Sequence, residues 1–409
     1  MTIRSAPPST GIAETFPESA EEFVALRRRL HSEPELAYQE KKTSALVAEL
    51  LQSWGYDVAR NIGGTGVVGT LRNGAGEKAI GIRADMDALP IVEATGLPYA
   101  STRSGVMHAC GHDGHTAILL AAARHLAETR DFSGTVRLIF QPAEEGGAGA
   151  KAMIADGLFE RFPVDAVFGL HNWPGVPAGQ FAFLSGPAMA SVDLAIIKVI
   201  GKGGHGARPS HAVDPIVAAA SLVLALQTIV SRNVDPLDTA VVTVGTIHGG
   251  IAANVIPDSV ELKVTIRTFS EAVREQIRTR IIELAETHAR SYGATAEVAY
   301  PRGYPALINH AEETEFARQV ALRHFGAGRI QSDFRLITAS EDFAFMLAER
   351  PGSYLFIGNG ESADLHSPSY DFNDEILPDA ARYWAALVQD YLGANEAPRT
   401  NEPARGSTP

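Results

Sequence analysis

The sequence predicts an α/β protein in two parts: a largely parallel sheet flanked by helices, and a smaller βαββαβ unit inserted into it. Two observations carry this. Strand-like apolar runs alternate with helical periodicity over the first 171 residues, the pattern of a parallel sheet with helical crossovers. From Val192 to Tyr300 the order becomes strand, helix, strand, strand, helix, strand, which is that of a ferredoxin-like unit. Length agrees, since 409 residues exceed what one core organises, roughly 250 to 300 residues.

The elements follow in chain order. Apolar positions at helical spacing predict helices over Glu21 to Leu30 and Thr43 to Trp54, separated by the turn His31-Ser-Glu-Pro-Glu35. Val67 to Leu71 and Ala79 to Arg83 read as strands, the second stopping at Asp85-Met-Asp87. An Ala- and Leu-rich helix over Thr116 to Thr129 leads to a strand from Thr135 to Phe140, which ends at Gln141-Pro-Ala-Glu-Glu145. A helix over about Ala148 to Asp156 precedes the strand Ala166 to Leu170, which ends at His171. In the inserted unit the reading gives strands at 193–201, 240–248, 258–268 and 295–300, with helices at 214–232 and 271–292. The α/β texture resumes from Glu312 to Leu392. The expected division is therefore 20–186 with 304–393 for the first domain, 187–303 for the second, and flexible termini at 1–19 and 394–409.

Composition excludes several classes. Apolar residues at 45%, charged residues at 20% and 38 glycines describe a packed globular chain. No run approaches the roughly 20 uninterrupted apolar residues of a membrane span, and the first 19 residues mix Pro, Ser, Thr and Glu where a secretion signal would be apolar. A cytoplasmic protein is expected, with no membrane partner. The net charge of −13 without a basic stripe disfavours nucleic acid. The single cysteine, Cys110, allows no intramolecular disulfide.

Met107-His-Ala-Cys-Gly-His-Asp-Gly-His115 gathers three histidines, a thiol and a carboxylate into nine residues. A lone histidine is more often structural, but thiolate, imidazole and carboxylate together are the donors that zinc-like cations select. The glycine between Cys110 and His112 lets both face one ion. His108, Asp113 and His115 are expected to fix imidazole tautomers. Glu144 and Glu145 follow a strand and can diverge there, one toward a metal and one toward a water, the division that metal-assisted hydrolysis requires. Because ligands gather beyond the carboxyl ends of parallel strands, Asp87, Glu144, Glu145 and His171 point to one sheet edge, and His366 extends the donor set. In the inserted unit His205 is displayed on the glycine-rich turn Gly201 to Pro209, and Asn254 and Arg267 offer donors for an oxyanion or a substrate carboxylate.

These motifs, taken in order, resemble the M20-type metallopeptidases, on the aminoacylase-like amidohydrolase branch that includes hippurate and auxin-conjugate hydrolases. The resemblance rests on His31 to Glu35, Arg83 to Pro90, His108 to His115, Gln141 to Gly146, Gly169 to His171, Gly201 to Pro209, Asn254 to Asp258, Ser340-Glu-Asp-Phe343 and Leu365-His-Ser367. It implies one or two divalent ions (Zn, Mn, Co or Ni) on Cys110, His112, Glu145, His171 and His366. It further implies Glu144 as general base and then acid, with Asp87 as a supporting catalytic carboxylate. His205 and Asn254 would bind substrate, beside Arg267 as read from its own chemistry, and the inserted unit would act as a lid and as the interface of a homodimer or larger homo-oligomer, with His205 serving its own or its partner's site. The wider family carries His-x-Asp where this chain has Asp85-Met-Asp87. The implied reaction is hydrolysis of N-acyl amino acids; a dipeptidase or carboxypeptidase, an N-carbamoyl hydrolase, or a non-catalytic ligand-binding relative are the alternatives.

Overall fold

The computed structural model describes residues 20–393; the two termini expected to be flexible lie outside them. The chain forms two compact units. One runs to Phe183 and adds His310–Phe334 and the chain from Glu349 onward, and the other comprises Leu184–Asn309 with Arg335–Ala348. The second unit thus takes more chain than the sequence suggests at both edges. Leu307–Asn309 pairs with Gly186–Met189, and Met189 also bridges Ile337, so main-chain pairing draws these segments out of the first unit.

The first unit is built on an eight-stranded mixed sheet. Its strands in chain order are β1 (Asp57–Ile62), β2 (Gly66–Asn73), β3 (Ala79–Asp85), β4 (Gly134–Gln141), β5 (Ala166–Pro174), β6 (Phe181–Phe183), then Ile330–Gln331 and Gly352–Gly360. Spatially the order is β1, β2, β4, β3, β5, Gly352–Gly360, β6, Ile330–Gln331. The four central strands, from β4 to Gly352–Gly360, are parallel, while β1 and β2 pair antiparallel with their neighbours and β6 is antiparallel to Gly352–Gly360 and parallel to Ile330–Gln331. Buried on both faces, the central strands read as continuous apolar runs, Ile80 and Ile82 of β3 and Val167 and Phe168 of β5 being inaccessible to solvent.

Two boundaries move relative to the sequence reading, and both matter to the site. The helix expected from Thr116 begins at His112 and runs to Thr129, placing His112, Asp113 and His115 in its first turn. β5 continues past His171 to Pro174 because Asn172 and Trp173 remain registered with Ile357 and Gly358 of the neighbouring strand. His171 is therefore held inside a ladder.

The second unit is the expected βαββαβ: strands Ser191–Ile200, Ala240–His248, Ser259–Thr268 and Thr295–Ala299, with helices Pro215–Arg232 and Glu271–Ser291. The sheet is antiparallel throughout, with Ala240–His248 at one edge and Thr295–Ala299 at the other. Each helix starts on a side-chain cap, Asp214 accepting from the Ile216 amide and Ser270 from that of Val273. Asp193 and Arg274 form a buried two-bond ion pair. Pro215–Arg232 is the one described helix long and apolar enough by composition to cross a membrane. Ala218, Ala219, Leu222, Leu226 and Ile229 on one face belong to this unit's core, whereas Ile216, Val217 and Leu224 are exposed.

Candidate metal centre

The expected donors of the first unit gather toward the carboxyl ends of its four parallel strands: Glu144 and Glu145 after β4, His171 near the end of β5, His366 after Gly352–Gly360, and Cys110 and His112 on the loop and helix start that follow β3, as does Asp87. Three tight backbone features aim them. Between Cys110 and His112, Gly111 adopts φ 95°, and a Cβ there would lie 2.2 Å from Asn172 Oδ1 and 2.8 Å from the Tyr370 hydroxyl. Only glycine fits, on both conformational and steric grounds. His366 also has positive φ, at 64°, and its amide donates to the Ala109 carbonyl at 2.7 Å, tying the last donor to the cysteine loop.

The third feature is the turn Glu144–Gly147. It is entered through Ala143 and left through Ala148, both left-handed at φ 53°, a conformation costing about 1–2 kcal/mol for a residue with a Cβ. Asp87 holds the turn from just beyond the neighbouring strand β3. Its Oδ1 accepts the Glu144 amide and its Oδ2 the Glu145 amide, each at 3.0 Å. The carboxylate expected to share in catalysis is thus occupied with the backbone of the two glutamates.

The histidine tautomers are fixed by main-chain carbonyls, not by His108, Asp113 or His115 as the sequence suggested. His112 Nδ1 donates to the Asp87 carbonyl at 2.8 Å and His171 Nδ1 to the Asn172 carbonyl at 2.7 Å. That leaves both Nε2 lone pairs for a Lewis acid. His171 Nε2 lies 3.4 Å from Cys110 Sγ; Glu145 Oε1 lies 3.2 Å from His366 Nε2 and 3.9 Å from His112 Nε2. Among the groups of three donors that the described residues form are His112 with Glu144 and Glu145, and two built on the thiol, Cys110 with His112 and His171, and Cys110 with Glu145 and His366. The latter two share only the thiol.

The three displaced residues serve elsewhere. Asp113 pairs with His31 at 2.9 Å and with Arg27 at 3.5 Å. His115 takes Asp85 Oδ1 at 2.6 Å and faces Asn172 Oδ1 at 2.8 Å, and Asn172 donates to the Tyr370 hydroxyl. His108 is buried with neither ring nitrogen hydrogen-bonded among the described residues. Asp85, the residue standing where the wider family has histidine, is also paired with Arg83 at 2.6 Å.

The electrostatics favour a cation. Burial, then Glu145, Glu144 and Asp85, push the Cys110 thiol well above its usual range. Burial opposes the charged form of His112, but Asp85, Asp87 and Glu145 outweigh it and lift the pKa to about 10. Burial and the neighbouring His115 press His171 well below the ordinary imidazole value. The pocket thus holds more anionic potential than its own cations offset. His112 Nε2 and Glu145 Oε1 are buried without a hydrogen-bond partner among the described residues, although buried polar atoms are nearly always paired. A divalent ion with affinity for sulfur, nitrogen and oxygen fits these donors.

In the second unit, His205 and Asn254 are adjacent: His205 pairs with Val255 in a two-residue ladder, and the Asn254 carbonyl accepts the Gly206 amide. Arg267 lies apart from them, half-buried, its guanidinium donating to Ser340 Oγ at 3.2 Å. The sequence reading missed Asn172, Tyr370 and Glu40. Asn172 stands beside a flagged histidine, whereas nothing local marks the other two.

A parallel sheet whose strand ends carry a shared-thiol donor set and a paired glutamate defines a hydrolytic enzyme of the metal-binding α/β class. The model of peptidase family M20/M25/M40 matches residues 81–390, and the chain belongs to that family. It is 46% identical over 371 residues to the hippurate hydrolase of Campylobacter jejuni, covering 91% of this chain and 97% of the relative. To the N-acetyl-L-cysteine deacetylase of Bacillus subtilis it is 41% identical over 383 residues, covering 93% and 91%. Among solved structures it is similar to a Bacillus subtilis dinuclear metal binding peptidase of the M20 family, with 34% identity, a TM-score of 0.80, and 92% of this chain and 99% of that chain covered.

Proposed function

We propose that this chain hydrolyses the amide bond of N-acyl amino acids, of the hippurate or N-acetyl type, releasing a carboxylic acid and a free amino acid. The observation that carries the reading is the pair of donor groups sharing Cys110, with Glu144 on a turn clamped by Asp87. Cys110, His112, Glu145, His171 and His366 would hold one or two divalent ions, which when bound polarise the substrate carbonyl and acidify water. Glu144 accepts the proton of the attacking water. As the C–N bond breaks, it returns that proton to the departing nitrogen, which leaves as the free amine of the amino acid. Asp87 acts through the backbone it holds and is assigned as a positioning residue.

For the substrate contacts, Arg267 is proposed to take the amino-acid carboxylate. Burial lowers its pKa, and its guanidinium has a hydroxyl as its bonded neighbour, so an anion would meet a desolvated cation. His205 and Asn254 are proposed to contact the amide. A reducing, cytoplasmic setting suits the thiolate donor.

The test is a metal-supplemented assay with Zn, Mn, Co and Ni against hippurate, N-acetyl amino acids, dipeptides and N-carbamoyl amino acids. Hydrolysis of the N-acyl substrates is expected, lost on chelation and restored by the metal. Faster turnover of dipeptides or N-carbamoyl compounds would reassign the substrate, and no hydrolysis across the panel would leave a ligand-binding relative.

The chain is further proposed to form a homodimer through its second unit. The edge strand Ala240–His248 has an unpaired ladder face among the described residues and exposes Ile247; Leu224 on the helix Pro215–Arg232 is 74% exposed. Long bare edges and apolar patches are ordinarily covered. Light scattering should give a dimer mass for the wild type and a monomer mass for Leu224→Asp; a monomeric wild type refutes the interface.

A further inference from the structure

The turn carrying Glu144 and Glu145 is held from a second side that the reaction does not use. Glu40 lies between the first two helices and is inaccessible to solvent. Its Oε1 accepts two backbone amides, Tyr38 at 3.0 Å and Ala143 at 2.9 Å, the latter 103 residues away in sequence. Its Oε2 accepts the Thr65 hydroxyl. Both amides belong to non-glycine residues in the left-handed region, Tyr38 at φ 60° and Ala143 at φ 53°. Such residues persist only where surrounding structure over-determines them. Tyr38 also reaches the far end of the same turn, its hydroxyl donating to the Gly147 carbonyl at 2.7 Å.

We propose that Glu40 is a positioning residue that sets the conformation of the Glu144–Glu145 turn through the Ala143 amide. With Asp87, three consecutive amides, those of Ala143, Glu144 and Glu145, each end on a carboxylate oxygen from another part of the chain. Bonds to a carboxylate are stronger than neutral ones. Asp87 fixes the two residues that bear the functional carboxylates, while Glu40 fixes the left-handed residue that decides where they point. Without Glu40, the Ala143 amide loses its acceptor in a buried site and the left-handed backbone loses what holds it.

The kinetic arm rests on the proposed role of Glu144; the exchange arm does not. In Glu40→Ala, amide hydrogen exchange over residues 141–149, and at Tyr38, whose amide loses the same acceptor, should accelerate by roughly tenfold or more while the first unit away from Glu40 exchanges as in the wild type. In the metal-loaded enzyme kcat should fall by about 10- to 100-fold, as for other residues that support functional groups from behind, with KM within about twofold of wild type. Glu40→Gln keeps a neutral acceptor for both amides and can donate to Thr65, so it should lie closer to the wild type than to Glu40→Ala in both measurements. Ala143→Gly, which removes the left-handed penalty, should recover part of the kcat lost in Glu40→Ala. If Glu40→Ala does not fold, Glu40→Asp, which withdraws the carboxylate by one methylene, takes its place. Unchanged exchange over 141–149, a uniform rise across the unit, or a Glu40→Gln variant as impaired as Glu40→Ala each overturns the proposal. A wild type that hydrolyses no amide refutes the proposed reaction alone, and the exchange result still decides Glu40.

Discussion

Glu144→Ala is expected to lower kcat by about 10²- to 10⁴-fold, the usual contribution of a general base, while the protein keeps its full metal content. Two neighbouring side chains take different parts. Glu145 Oε1 is the oxygen near His366 and His112, so Glu145 is the one proposed as a metal donor. Glu144 adjoins it on the same Asp87-held turn. Elemental analysis beside steady-state kinetics checks the result. A Glu144→Ala protein that loses metal, or a Glu145→Ala protein that retains it, would mean the two roles are exchanged.

The second large effect requires no change to a donor. Gly111→Ala should reduce metal affinity by about 10- to 100-fold, the range seen when residues that orient ligands are changed, although Cys110 and His112 are untouched. The added Cβ would overlap Asn172 Oδ1 and press on the Tyr370 hydroxyl, in a backbone conformation that only glycine adopts without strain. The loop must shift, and the thiol and imidazole separate with it. Equilibrium dialysis with the intended metal measures the loss. A Gly111→Ala protein binding metal as tightly as wild type would show that the loop tolerates the side chain and that the packing against Asn172 does not set the donor geometry.

How much of this was legible in the sequence depends on the range of the interaction. The donor loop was visible because its chemistry is concentrated in nine residues, and the sheet edge because parallel strands alternate with helices. The βαββαβ unit was readable almost to the residue, each strand and helix being long and periodic. β1 was missed because Asp-Val-Ala-Arg-Asn-Ile is a polar edge strand with no apolar run to announce it, and β6 because it is three residues long. The tautomer partners were misassigned for a plainer reason. The groups that fix His112 and His171 are peptide carbonyls, which every residue carries, so composition cannot point to them. Of the supports of the glutamate turn, Asp87 was brought to the right edge by the strand pattern, though not to the two amides it accepts, whereas Glu40 lies 103 positions from the Ala143 amide and nothing in either segment says they meet.

The strand order has a consequence for how the molecule comes into being. Gly352–Gly360 lies between β5 and β6 although it is made long after both, and His366 follows it by only a few residues. During synthesis the earlier strands must therefore wait, with a gap in their ladder, for a segment made much later to leave the ribosome and enter between them. Pairings this distant are slow to form and leave apolar edges open meanwhile. The triad of Cys110, His112 and His171 is encoded before that point and the triad with His366 only after it, so the second donor group forms later than the first.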